Sequence, residues 1–232
     1  MILRRQGSWH LLVAPGREAL AEKLAALTAI PARCERVLRD DRHAFVGILA
    51  LDGATIVAKS PRYKDRRPWL RWLSLVRQGY AFRIVRFLRR LEEEGLPSAA
   101  PVLAMEQRRR GRVVCSWIFY DYLPGEPCRP EDFPQVIAVL GRLHARGWIH
   151  GDAHARNFIV HAGRVQLLDP APRRKWFGRI SEAYDYIRLR NSLPGEELAF
   201  PIPTEAWAFR VAAAHDRWIH TWRAIKRRLR GR

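Results

Sequence analysis

The sequence predicts an α+β protein in two lobes, a β-rich N-terminal lobe over residues 1–123 and a helical C-terminal lobe over 124–232. Three observations predict it. Apolar and β-branched runs crowd the first half, helical spacing dominates the second, and the breaker cluster Pro124-Gly125-Glu126-Pro127 stands between them. A chain of 232 residues, 48% hydrophobic, is long enough to bury a core in one domain or in two small lobes around a cleft.

The elements follow in order. Apolar residues from Arg17 to Leu27 fall at helical spacing, and Pro31 stops the pattern. Phe45–Leu51 and Ala54–Lys59 are strand-like runs joined by Asp52-Gly53, which reads as a hairpin. Residues 62–77 are basic with interspersed tryptophans, and a helix runs from Tyr80 to Glu94, ended by Gly95 and Pro97. Val102–Met105 and Val113–Tyr122 flank the charged turn Arg108-Arg109-Arg110-Gly111 as two strands. In the second half, Val136, Val139, Leu140 and Leu143 share one face of a helix over Phe133–Arg146, stopped by Gly147. Two short strands follow, Phe158–Val160 and Val165–Leu168, and from Ser181 onward helices are broken by Pro194, Pro201 and Pro203.

Lys and Arg number 42 against 23 Asp and Glu, a formal net charge of +19. Such an excess points to an anionic partner: a nucleic acid, a membrane surface, or a substrate carrying phosphates and carboxylates. Three widely spaced cysteines, Cys34, Cys115 and Cys128, form no CxxC pair and fit a reducing compartment. The N-terminus lacks the apolar run of a secretory signal, and no stretch reaches the ~18 apolar residues of a membrane span. The expectation is a cytoplasmic protein, soluble or peripheral to the membrane.

The chemistry lies in His150-Gly151-Asp152-Ala153-His154-Ala155-Arg156-Asn157, between the long helix and the short hairpin whose second strand is expected to end in Asp169. Phosphoryl transfer needs a carboxylate beside the attacking hydroxyl and oxygen ligands for the magnesium that bridges the nucleotide phosphates. Asp152 suits the first task, and Asn157 with Asp169 the second. The twelve residues from Asn157 to Asp169 hold a strand, a turn and a strand, enough to bring the two back together.

This pattern resembles the kinase superfamily in its His-Gly-Asp-x-His-x-x-Asn variant, as in aminoglycoside and choline phosphotransferases. Within that group the chain is similar to the bacterial lipopolysaccharide core kinases, the heptose and Kdo kinases, from about Val37 to about Leu189. The resemblance implies a protein-kinase-like fold, ATP and Mg2+ as cofactors, and catalysis by Asp152. It makes Asn157 and Asp169 the metal ligands and Lys59 the lysine for the α- and β-phosphates. Trp117–Leu123 becomes the hinge that binds adenine, at Tyr120 and Tyr122. The implied substrate is the lipopolysaccharide core oligosaccharide at the inner-membrane surface, with nucleic acid disfavoured.

Three features depart from the family pattern. The helix from Tyr80 has no acidic residue before Glu92 to pair with Lys59, Asp169 is followed by Pro170-Ala171-Pro172 in place of Phe-Gly, and Arg42–Gly47 would cover the phosphates with one glycine. A kinase of proteins or small molecules, or an idle kinase fold acting as an adaptor, are the alternatives. Zinc bound by His150, Asp152 and His154 is a rival that leaves Asn157 unexplained. His150 reads as a loop-orienting residue, and His154 as a positioning or a packed structural histidine. The basic segment Arg62–Arg90 reads as a solvated helix face. At the C-terminus Trp218, Trp222, Ile225 and Leu229 share a face among Arg217, Arg223, Lys226, Arg227, Arg228 and Arg230, the pattern of an interfacial helix, with membrane contact or packing against the catalytic lobe as the two readings.

Overall fold

The computed structural model describes residues 1–171, 173–193 and 198–230, and in the last helix the side chains through Ile219 with those of Thr221, Trp222 and Ile225. Pro172, Pro194 and the side chains of Arg223, Lys226, Arg227, Arg228, Leu229 and Arg230 lie outside the described residues. The chain divides into two compact units, Met1–Pro124 and Gly125–Arg232.

The first unit runs β1 (Ile2–Gln6), β2 (Trp9–Val13), α1 (Glu18–Ala26), α2 (Ile30–Arg33), β3 (Arg36–Asp40), β4 (Phe45–Leu51), β5 (Ala54–Ser60), α3 (Arg62–Arg66), α4 (Pro68–Leu73), α5 (Tyr80–Glu93), β6 (Pro101–Arg109) and β7 (Arg112–Asp121). Its seven strands form one antiparallel sheet in the order β1-β2-β6-β7-β5-β4-β3. The β4–β5 hairpin turns through Asp52 and Gly53, both at positive φ, which is why Asp-Gly marked it. Residues 2–13 and 36–40 add three strands that the sequence pattern did not announce. β1 and β3 are exposed along their whole length at the sheet's two edges, so neither has a buried face to write an alternation.

α5 buries Ala81, Phe82, Ile84, Val85, Phe87, Leu88 and Leu91, the i, i+3, i+4 stripe of a helix lying on a sheet. On one side the core is Leu11, Val13, Leu24, Leu49, Ile56, Leu103 and Phe119, covered by α1. Gly47 belongs to that packing. A Cβ there would lie 2.6 Å from Cys34 Sγ, so its lack of a side chain serves the close approach of Cys34. The backbone N–H groups of His43 and Ala44 donate to the Asp41 carboxylate at 2.7 and 2.9 Å. Arg42–Gly47 is thus an ordered turn between β3 and β4 that runs into β4.

The second unit runs β8 (Glu126–Pro127), α6 (Phe133–Ala145), β9 (Trp148–Ile149), β10 (Phe158–His161), β11 (Arg164–Leu167), β12 (Arg173–Arg174), α7 (Arg179–Asn191) and α8 (Trp207–Arg230). α6 buries Val136, Val139, Leu140 and Leu143, the face its spacing predicted. α8 packs on α7 through Ala208, Phe209, Ala212 and Asp216. Trp207, Val211, Trp218, Trp222 and Ile225 stay exposed. Among the described residues no helix is long and apolar enough to cross a membrane.

Candidate active site

In the second unit the loop after β9 carries His150, Gly151 and Asp152, and α7 holds it from beneath. Asp185 is fully buried, and its carboxylate accepts from the backbone N–H of His150 at 2.7 Å and of Gly151 at 2.9 Å. Its Oδ2 also meets His144 Nε2 of α6 at 3.0 Å. Such multiple bonding is what makes a buried carboxylate tolerable. Gly151 has φ +76, and a Cβ there would approach Arg173 Cδ to 3.0 Å, so glycine is required at this turn.

His150 is itself fully buried. Its Nε2 faces the Leu168 carbonyl at 3.2 Å, and its Nδ1 accepts from the Asp152 N–H at 3.4 Å. Burial holds the ring's pKa below the usual value against the pull of Asp185, Asp169 and Asp152. The ring is therefore a neutral brace with both nitrogens occupied, as its orienting role required, and it has no lone pair left for zinc. Among the described residues no three His, Cys, Asp or Glu side chains are grouped to hold a metal ion.

Asn157 ends the 3-10 turn Ala155–Asn157 that follows the loop. Its Nδ2 donates to the Asp152 carbonyl at 2.7 Å and to Asp152 Oδ2 at 3.4 Å. With the amide nitrogen so used, Oδ1 is the atom Asn157 offers a ligand, an oxygen donor suited to a hard cation. The β10–β11 hairpin then returns the chain. Leu168 N–H donates to the Asn157 carbonyl at 2.8 Å, while the Leu168 carbonyl meets His150. Asp169 comes directly after this doubly tied residue. β11 ends at Leu167, so Asp169 lies past the strand end where it was expected, in a left-handed conformation with φ 49. That conformation is unfavourable for a non-glycine residue and is found where the surroundings hold it.

Asp152 is half-exposed and forms an ion pair through Oδ1 with Arg188 of α7. Burial pushes its carboxyl pKa up, but the hydrogen bond and charge of Arg188 outweigh that, helped by the hydrogen bond from Asn157. The result is a carboxylate held below its usual range, ionised at neutral pH. The sequence reading missed Asp185 and Arg188. One trace was available: they are three residues apart on a helix and so share a face, and Asp185 is an acid set among Ala183, Tyr186, Ile187 and Leu189. His154 holds Nδ1 in a buried position without a hydrogen-bond partner, and burial lowers its pKa.

Lys59, Tyr120 and Tyr122 belong to the first unit. Lys59 is in β5, in register with Ile118 of β7, so the two side chains share a sheet face. Ser116, two residues along β7, lies on that face too, and both oxygens of the buried Asp65 carboxylate accept from its Oγ at 2.8 Å. Trp117–Asp121 lies in the strand expected over Val113–Tyr122, and Tyr120 sits in register with Val57 and Pro101 inside the sheet. β7 runs out only at Tyr122, whose N–H is given to the Thr55 carbonyl at 2.9 Å.

No protein-family model matches the chain. Its sequence is 25% identical over 148 residues to the lipopolysaccharide core heptose(II) kinase WaaY of Escherichia coli K12, covering 60% of this chain. The chain spans about 63% of the length of that curated relative. Among solved structures, WaaP in complex with acyl carrier protein matches with a TM-score of 0.56 and 18% identity, over 82% of this chain and 83% of that one. The PknI kinase domain of Mycobacterium tuberculosis matches more loosely, with a TM-score of 0.43 and 19% identity over 76% of this chain and 81% of that one. The chain has a protein-kinase-like fold, shared with WaaP, and its sequence is similar to that of a lipopolysaccharide core kinase.

Proposed function

We propose that this protein is an ATP-dependent kinase that phosphorylates a heptose or Kdo hydroxyl of the lipopolysaccharide inner core at the cytoplasmic face of the inner membrane. The observation that carries the reading is the loop itself. Asp185 pins its backbone, Arg188 pins the Asp152 side chain, and Asn157 turns its amide nitrogen inward, leaving an oxygen for a cation. Similarity to WaaY supports the choice of acceptor class.

The chemistry follows from those positions. With Oδ1 fixed by Arg188, Asp152 Oδ2 is the oxygen that orients the acceptor hydroxyl and takes its proton as the hydroxyl oxygen bonds the γ-phosphorus and ADP departs. Asn157 Oδ1 and the Asp169 carboxylate would hold magnesium, which would supply charge neutralisation at the phosphate oxygens. Lys59 binds the α- and β-phosphates, and the adenine meets the main chain near Tyr120 and Tyr122, where β7 runs out. Asp65, buried on the sheet face of Lys59, takes the supporting role that α5 has no acid to fill. The exposed aromatic face of α8 seats the enzyme at the bilayer that anchors its substrate.

The test is phosphate transfer. Purified protein with ATP, Mg2+ and delipidated core oligosaccharide is expected to label the sugar, and Asp152→Ala to lower the rate by about 10²–10⁴-fold. Binding of Mg·ATP without transfer to any core acceptor would instead favour an idle kinase fold.

A further inference from the structure

The segment from the end of α3 through most of α5 has a composition unlike the rest of the first unit. From Arg66 to Leu91 there are eight arginines and no Asp or Glu. Within it, Trp69 and Trp72 are each 58% exposed, Leu75 45% and Val76 82%. A solvated helix face, the ordinary fate of a charge run, does not push two tryptophans and an aliphatic pair into water together.

The apolar group is built rather than loose. Ser74, buried behind it, donates from Oγ to the Arg71 carbonyl at 2.6 Å and accepts there from the Val113 N–H at 3.0 Å. The Ser74 carbonyl accepts from Arg108 at 2.9 Å. The chain at residue 74 is thus bolted to the end of the β6–β7 hairpin, and Leu75 and Val76 are thrust outward immediately after. The guanidinium of Arg112 lies 3.4 Å from the centre of the Trp72 ring and holds it in place. Exposed Arg66, Arg71 and Arg77 border the knob, and the hairpin tip adds exposed Arg109 and Arg110.

We propose that Trp69, Trp72, Leu75 and Val76, ringed by these arginines, are a docking surface for an anionic phospholipid bilayer. Tryptophan suits the headgroup boundary, the aliphatic pair suits the acyl region beneath it, and arginines suit the headgroup phosphates. Nucleic acid would be served by the arginines and stacking rings but gives Leu75 and Val76 no role. The surface needs both signals, since one short apolar insertion is marginal alone. It rests on the kinase reading only for its purpose, the meeting with a membrane-anchored sugar, and can fail or stand without it.

Sedimentation of the full chain with phosphatidylglycerol-containing vesicles, beside pure phosphatidylcholine vesicles, tests the proposal. Binding is expected to the anionic vesicles only and to weaken as salt rises. Leu75→Glu/Val76→Glu, both changes at exposed positions, should weaken it by at least about tenfold while transfer to soluble oligosaccharide stays unchanged. Undiminished vesicle binding by that variant, with loss in Trp218→Glu/Trp222→Glu, would overturn the proposal in favour of α8 alone. So would a protein that ignores anionic vesicles, or that binds an acidic protein through this surface and not lipid. Activity without vesicle binding would leave the kinase reading standing, and vesicle binding without activity would do the reverse.

Discussion

Arg188 and Asp185 divide the control of one loop between them. Asp185 takes the backbone and Arg188 takes the side chain of the proposed base, both from α7. Because Arg188 holds the Asp152 carboxyl below its usual range against the effect of burial, Arg188→Gln should move the acid limb of the kcat/KM profile to higher pH. Arg188→Lys, which keeps the charge without the planar fork, should restore part of that shift. A profile identical to wild type in both variants would make Arg188 a packing residue. Asp152, Asn157 and Asp169 stand out as candidates in the sequence because they lie in one short stretch with spacing that a loop and a hairpin explain. Asp185 and Arg188 were not, because their partners are 34 to 36 residues away and no local pattern records such a bond.

At the level of elements, α3 and β7 share a buried acid. Burial raises the Asp65 pKa from 3.8 to about 6, against the hydrogen bonds from Ser116. An Asp whose folded pKa is raised binds its proton more tightly when folded. It favours the fold below its unfolded value near 3.8, and that contribution is lost as pH climbs through about 6. Asp65→Asn should therefore match wild type in stability below pH 4 and exceed it at pH 8, by up to about 3 kcal/mol, while lowering kinase activity. Thermal melts at the two pH values, with rates alongside, check it; full activity in the variant would remove Asp65 from the site. The hairpin at Asp52-Gly53 and the face of α6 were readable because turn chemistry and helical period are local. β1 and β3 were hidden by their exposure at the sheet edges, whereas the apolar run Val113–Tyr122 was readable as the strand β7.

For the whole molecule, the net charge of +19 is what the proposed anionic partners would meet. In the first unit exposed arginines border an apolar knob, and in the second exposed Arg217 precedes Trp218 on α8, where Trp218 and Trp222 stack with ring centres 6.5 Å apart. The fold keeps the proposed chemistry in two places, Lys59 in one unit and Asp152, Asn157 and Asp169 in the other. In the proposed function Asp152 acts in transfer, while Asn157 and Asp169 act in binding. Calorimetric titration with Mg·ATP, paired with transfer to core oligosaccharide, tests this most directly across Asp152→Asn, Asn157→Ala and Asp169→Ala. Asp152→Asn should bind Mg·ATP like wild type and transfer almost no phosphate, while the other two should lose magnesium-dependent binding itself. Wild-type transfer by Asp152→Asn, or unchanged Mg·ATP binding by Asp169→Ala, would contradict the account.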